Sequence, residues 1–401
     1  MSLSTFRALR HRGFRLLWMG LAVSAIGTWM QIVALSLLVL KITHGSAFAL
    51  GTVSLTQALA FFCFALVGGS MADRIDKRRL LLFTQSTSAG LAILLGVLTW
   101  TGLIQFWMIL VISLLNGTVL SFDQPARGAL VPMLVPTEDL MNAVSLQSSI
   151  FNAASAIGPA LAGFGVSLLG YAGNFFLNAA SFLPILAALY VIRVPEDLTH
   201  RQPMWGAIRE SLGTVRRDSV LPWVLIGYGA LLCFGPSPAL ILPVFAVKVL
   251  NIGPERLGFL FSSLGVGTIV GALMVASLGG NTRKGSLYWM GLLIWAGAVS
   301  SFALSRRLPL SMAALLAVGL GQTLVATTTI TLLQTRVPEQ MRGRVMSLNT
   351  LLIMGIRPLG DFPAGALISV IGAPATVLVS AVLVAMYGGF VSVARLSIRS
   401  A

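Results

Sequence analysis

The chain has 401 residues, 56% of them hydrophobic and only 10% charged, with a mean hydropathy of +0.90 and a formal net charge of +15. A soluble domain carries about 45–50% apolar and about 25% charged residues, so a soluble enzyme, a disordered chain and a secreted disulfide scaffold are all excluded. The apolar runs are long and continuous, unlike the short alternating strands of an outer-membrane barrel, and they leave an all-α polytopic membrane protein.

The opening stretch MSLSTFRALRHRGFRLLW is basic and then runs into apolar sequence without a small-residue cleavage site. It predicts a first membrane span at 16–40 rather than a removable leader. A span needs about 20 apolar residues. The second lies at 47–71. The uncharged stretch 80–122 holds spans 3 and 4, with a turn at Trp100-Thr101-Gly102, and 142–192 holds spans 5 and 6, with a turn near 170–173. A polar segment at 193–218, VPEDLTHRQPMWGAIRESLGTVRRD in its main part, reads as a linker. Spans 7 to 12 then follow at 219–247, 257–278, 286–305, 308–335, 345–371 and 373–394. The expected organisation is twelve transmembrane helices in two six-helix pseudo-symmetric bundles, 1–192 and 219–401, joined by the linker 193–218.

With the N-terminus inside, the inner segments carry 21 Lys and Arg and the outer loops 5. That asymmetry predicts that both termini are cytoplasmic. It also accounts for the positive charge without a nucleic-acid partner, which the same balance would suggest in a soluble domain. Cys63 and Cys233 sit inside apolar runs, at no metal-ligand or disulfide spacing, and read as packing residues. His11, His44 and His200 lie far apart in loops and tails, so no metal site is expected. There is no G-x-x-x-x-G-K-[ST] loop, which disfavours ATP-driven transport by this chain; no cofactor is expected.

Shifting the chain by 202 residues superposes Val135-Pro136 on Val337-Pro338, Ser145-Leu146 on Ser347-Leu348, Gly158 on Gly360, Ala162-Gly163 on Ala364-Gly365 and Gly170 on Gly372, without a gap. Span 5 therefore corresponds to span 11. Parallel repeats of six spans are a transporter architecture with its substrate site near the midplane.

Between spans 2 and 3 stands Gly69-Ser-Met-Ala-Asp73-Arg74-Ile-Asp76-Lys77-Arg78-Arg79, and span 5 carries Gly158-Pro159-Ala-Leu-Ala-Gly163. The first resembles the signature loop of the major facilitator superfamily, with Asp76 where that family usually has Gly. The second resembles the GP-x-x-x-G antiporter motif of its exporters. The stretches FDQPARGALVPMLVP (122–136), VPEQMRGRVMSL (337–348) and FRLLW…GTWMQ (14–31) are similar to one bacterial subgroup, the third drug:proton antiporter group, with enterobactin-exporter and macrolide-efflux relatives. The resemblance covers nearly the whole chain. It implies the major facilitator fold, residence in the bacterial inner membrane, a monomer, and export of a hydrophobic or amphipathic small molecule of drug or siderophore class by proton antiport with alternating access.

The resemblance further implies a cytoplasmic gate built from Gly69, Asp73, Arg74, Lys77 and Arg78, with Asp123 as the acid facing the bases. It implies that Gly158, Pro159 and Gly163 seal the outer half against span 8, where Gly265, Gly267 and Gly271 offer a facing surface. An ionisable residue inside a span is a functional candidate by default. Asp361 and Arg357 lie within span 11 and Asp123 at the edge of span 4. Arg357 and Asp361 are four residues apart, hence on one helix face and able to pair. Asp361, with Arg357 tuning it, and Asp123 are the proton-coupling candidates; a neutralised structural pair is the alternative. Span 4 lacks the intramembrane Arg of many proton antiporters, since 112–117 reads ISLLNG.

Trp29, Gln31, Gln57, Asn116, Asn152 and Gln322 are candidate polar contacts in an otherwise apolar cavity. Such a cavity suits lipophilic or amphipathic ligands. Rival readings are an importer or facilitator of a small metabolite on the same fold, a membrane-embedded lipid enzyme, and a non-transporting receptor. GPALAG speaks against the first, and no polar catalytic cluster speaks for the second.

Overall fold

The computed structural model describes residues 6–192, 215–235, 237–278, 284–338 and 352–394, together with 213, 341, 345, 346 and 349. The linker 193–218 therefore lies almost wholly outside the described residues, as do 279–283 and most of 337–348. The described residues form long helices and no strand: α1 (Arg12–Ile42), α2 (Ala47–Arg74), α3 (Lys77–Trp100), α4 (Phe106–Leu134), α5 (Leu140–Ser181), α6 (Leu183–Val191), α7 (Leu221–Phe234), α8 (Pro238–Lys248), α9 (Pro254–Leu278), α10 (Lys284–Leu304), α11 (Leu308–Arg336), α12 (Arg357–Ile371) and α13 (Ala373–Ala394).

Among the described residues nine helical stretches are long and apolar enough to cross a bilayer, and Ala373–Gly389 is a shorter apolar helix. Their outer faces carry bare Phe83, Leu168, Leu273 and Leu293 side chains, the surface that lipid rather than water would cover. The stretch Thr137–Val191 is 55 residues long. A straight helix of that length would run about 80 Å, far beyond a hydrocarbon core of about 30 Å, so it has to fold back. It breaks at Gly170, where φ is 70° and ψ −175°. Only glycine takes that conformation without steric cost.

The repeat reappears at this point. Gly372, 202 residues on, ends α12 with φ 81° and ψ 162°. The neighbouring Leu168 and Val370, also 202 apart, are each 81% exposed. The correspondence extends to close packing. A Cβ on Gly158 would meet Trp29 and the Ile26 carbonyl of α1, and one on Gly360 would meet the Cys233 carbonyl of α7. Residues 26–29 stand to 158 much as 233 stands to 360.

Span 7 is long and apolar enough to cross a bilayer over Leu221–Lys248, but it is not one continuous helix. The predicted continuous helix at 219–247 is two pieces, α7 ending at Phe234 and α8 starting at Pro238. The sequence Gly235-Pro-Ser237-Pro238 accounts for the break, because proline cannot donate to the helix ladder and excludes the helical conformation from the residue before it. Ser237 then caps α8, its hydroxyl accepting from Leu240 N–H. Asp76 has a comparable role: it caps α3 by accepting from Arg78 N–H at 2.8 Å, so an acid there starts the helix cleanly in place of the family's glycine.

The chain divides into two compact units, one of residues 1–44, 56–201 and 254–258, the other of 45–55, 202–253 and 259–401. In the first, α1 packs on α5 and α6: Trp18 Nε1 donates to Leu146 O at 3.0 Å, and Gly20 lies against the Ile185 backbone. Phe14, Leu17, Leu130, Ala143, Ile185 and Leu189 form part of its core. In the second, Gly291 and Gly321 bring α10 and α11 together, while Tyr288 and Tyr387 donate to the Val224 and Trp223 carbonyls of α7.

Candidate functional site

The first unit contains a cavity of about 250 Å³. Its wall is built from α1, α2, α3, α4 and α5. Helix α1 contributes Ser24, Thr28, Trp29 and Gln31, and α2 contributes Gln57; α3 adds Gln85 and Ser88, and α4 adds Asn116, Asp123, Gln124 and Arg127. Close helix approach makes this possible. Gly117 has no side chain to hold α4 away from the Gln57 carbonyl of α2, and Gly68 admits the Ser121 carbonyl. Pro125 cannot donate to that carbonyl, which loosens α4 where Asp123 projects.

Asp123 is buried, with its side chain 5% exposed, and Arg127, one turn on, is 11% exposed. The two form an ion pair through Arg127 Nη2. Asp123 Oδ1 also accepts from Gln85 Nε2 at 2.6 Å and Thr84 Oγ1 at 3.1 Å. The Phe151 ring lies 5.8 Å from the guanidinium carbon of Arg127. Two polar atoms remain buried without a partner, Gln85 Oε1 and Arg127 Nε, one an acceptor and one a donor. Nearby, Asn178 Nδ2 donates to Gln31 Oε1 at 2.7 Å. The cavity thus combines an aromatic and aliphatic wall with amides and one neutralised charge pair, a lining suited to an amphipathic guest.

Several sequence expectations meet here and others do not. Trp29, Gln31, Gln57 and Asn116 all line this cavity; Asn152 does not, and Gln322 lines a separate one in the second unit. Asp123 does not face the bases of the 2–3 loop, as expected above, but pairs with Arg127 on its own helix. Arg127 itself was missed: counted among inner-loop cations, it lies within α4 with its side chain only 11% exposed. Its spacing of four from Asp123 was the available signal.

The loop bases have other partners. Arg78 Nε donates to Leu189 O at 2.5 Å and Nη2 to Tyr190 O at 2.6 Å, placing a cation at the C-terminus of α6, where the helix dipole favours one. Arg79 pairs with Asp76 at 3.6 Å. Lys77 is buried, Arg74 is exposed, and Gly69 lies inside α2 with open space where a Cβ would be. The side chain of Asp73 is outside the described residues. Arg78→Ala is expected to lower stability by about 1 kcal/mol by stripping those last carbonyls of their donor. Thermal unfolding in detergent checks this, with Arg78→Lys recovering part of the loss.

In the second unit Asp361 is 4% exposed. Its Oδ1 accepts from Ser237 N–H at 2.8 Å, and the Ser237 and Ser54 hydroxyls bond it as well. The carboxylate therefore caps the N-terminus of α8, the positive end of a helix dipole. The expected pairing with Arg357 is not among the ion pairs of the described residues. Arg357 follows a π-helical turn, Leu352–Ile356, and lines the second unit's cavity instead.

The antiporter motif meets the helix of span 8, at a glycine other than the three expected. A Cβ on Gly163 would meet the Pro254 carbonyl at 2.5 Å, and one on Gly258 would meet the Pro159 carbonyl at 2.9 Å. The facing glycine is thus Gly258, while Gly267 and Gly271 pack against Leu316 and Leu320 of α11.

A family model described as transmembrane secretion effector matches residues 3–400. The chain belongs to that family. With membership come the major facilitator fold and a secondary transporter that exports small molecules, not an enzyme. The staphyloferrin A transporter of Staphylococcus aureus is 26% identical over 343 residues, covering 84% of each chain. Enterobactin exporter EntS of Escherichia coli O1:K1 is 28% identical over 379 residues, covering 92% of this chain and 88% of its own. Among solved structures, a bacterial homologue of the human lysosomal transporter Spinster matches with a TM-score of 0.76 at 14% identity, covering 100% of this chain and 99% of its own. A bacterial homologue of ferroportin matches at 0.71 and 19%, covering 97% and 100%. These last two likenesses concern the fold alone.

Proposed function

We propose that this secretion effector exports an amphipathic small molecule of siderophore or drug class across the bacterial inner membrane, in exchange for protons. It acts as a monomer with both termini in the cytosol. The single observation that carries the reading is the cavity of the first unit, where a buried Asp123–Arg127 pair sits among amides and aromatic rings. An intramembrane acid that faces a cavity is placed to meet both proton and guest. Asp361 has no such access: its carboxylate is spoken for by Ser237 and Ser54, so it pins α12 to α8. Asp123 is accordingly the proton-coupling residue, and Asp361 the structural one. The siderophore class is supported by the relatives named above, and the inward termini by a Lys and Arg excess that survives moving Arg127 into the membrane.

Flux in proteoliposomes tests this over a panel of siderophores and antibiotics. Antiport predicts accumulation in vesicles with an acid lumen, abolished by a protonophore. Asp123→Asn is expected to reduce accumulation to the level seen without a gradient, and Asp361→Asn to keep its dependence on the gradient. Accumulation only in vesicles with an alkaline lumen would establish the importer reading instead.

A further inference from the structure

The second unit holds its own cavity, of about 50 Å³, bounded by α7, α8, α9, α10, α11, α12 and α13. Its wall is apolar and aromatic, including Leu231, Trp295 and Phe302, with two exceptions, Gln322 and Arg357. Glycines let the rings close in: Gly235 lies against the Trp295 ring, and Gly321 against the Trp295 backbone.

Arg357 is the anomaly. A cation inside a membrane-spanning helix is costly and ordinarily finds an anion. The nearest acid by sequence, Asp361, is taken by Ser237 and Ser54. None of the ion pairs among the described residues includes Arg357, and its Nε is buried with no hydrogen-bond partner. Asp361 and Tyr228 lie within electrostatic reach, but neither is bonded to the guanidinium. A guanidinium presents up to five donors in a planar fork that matches a carboxylate in two-point contact. Here that fork meets a cavity also holding the Gln322 amide, whose other lining residues are apolar. A volume of about 50 Å³ holds a few waters, or one small polar group with the start of an alkyl or aryl tail.

We propose that Arg357 and Gln322 form a subsite for the carboxylate-bearing end of an amphipathic substrate. The carboxylate completes the guanidinium's missing ion pair, the Gln322 amide donates a further hydrogen bond, and Trp295 and Phe302 take the apolar part next to it. The inference rests on the export reading and deepens it: the substrate carries an anionic group, and a neutral analogue is discriminated against.

Binding separates this claim from transport. The purified full-length protein in detergent is titrated with 4-butylbenzoate, with 4-butylbenzamide and with sodium chloride, followed by tryptophan emission. Trp295→Phe assigns the signal to this cavity. The carboxylate is expected to bind about ten-fold more tightly than the amide, the span of one charge-assisted hydrogen bond. Arg357→Gln is expected to bring the ratio to about one by weakening the carboxylate alone, and Arg357→Lys to retain an intermediate preference. Unchanged amide binding shows that each variant is folded. An equal affinity for acid and amide in the wild type would overturn the proposal, as would a preference that survives in Arg357→Gln. Chloride competing as well as the carboxylate would also overturn it, reassigning the site to an inorganic anion. Loss of flux with this binding preference intact would count against the export reading and not against the subsite.

Discussion

Asp123→Ala is expected to destabilise the protein by about 3–5 kcal/mol, the cost of leaving a buried charge without its partner. The argument rests on enclosure. Both side chains are at least 89% shielded, and Arg127 Nε is closed off with no acceptor in reach. Removing the carboxylate also strands the donors of Gln85 and Thr84. Arg127→Ala should cost a similar amount for the converse reason. The double variant separates pair from packing: with both charges gone, no uncompensated ion remains, and replacing a whole buried pair by apolar groups is often close to neutral. Asp123→Leu with Arg127→Met, chosen for volume, is therefore expected to unfold nearer the wild-type temperature than either single variant. A double-mutant cycle by thermal unfolding in detergent measures the coupling. Losses that simply add would mean that the pair is solvated, and the cavity would then be a poor place for a coupled proton.

The same spacing, an acid and an arginine four residues apart, occurs at 123/127 and at 357/361, with opposite results. At the first position the two side chains pair. At the second, the acid is captured by the broken helix α7–α8, whose new N-terminus supplies better-placed donors. Spacing along one helix states who can meet; neighbouring helices decide who does. That is why the spans and the repeat of 202 residues were legible, down to the glycine turns at 170 and 372, while the charge partners were not. Hydropathy reads each residue against lipid or water, and it cannot show that a second helix starts at Pro238 within an apolar stretch, with its N-terminus bonded to Asp361. Bounding the spans by charge also left Arg127 among the loop cations, whereas the fold pairs that charge with Asp123. Likewise, counting glycines on span 8 offered 265, 267 and 271, although the one in contact with the Pro159 carbonyl is Gly258.

Gly360→Ala is expected to be the most damaging of the glycine substitutions in the repeat, costing about 1–3 kcal/mol or more. Its Cβ would lie 1.9 Å from the Cys233 carbonyl oxygen, a backbone atom that cannot rotate away. Relief requires α12 to move bodily off α7, and α12 carries both Asp361, which holds α8, and Arg357, which lines the cavity. The equivalent Gly158→Ala meets Trp29 Cβ at 2.5 Å and the Ile26 carbonyl at 2.9 Å. That is a smaller intrusion, so α5 need shift less and the loss should be smaller. Gly297→Ala is the control: its helix position is open, with nothing within 4 Å, and alanine's better helix propensity makes it neutral or mildly stabilising. Small residues in membrane helices act by letting backbones approach, and this ordering is what that mechanism demands. Unfolding temperatures in detergent should fall in the sequence Gly297→Ala, Gly158→Ala, Gly360→Ala. If Gly360→Ala matched the control, the contact with Cys233 would be absent in the folded protein. The close approach of α12 to α7 would then be absent, leaving the Asp361–Ser237 hydrogen bond to hold α12 against the start of α8.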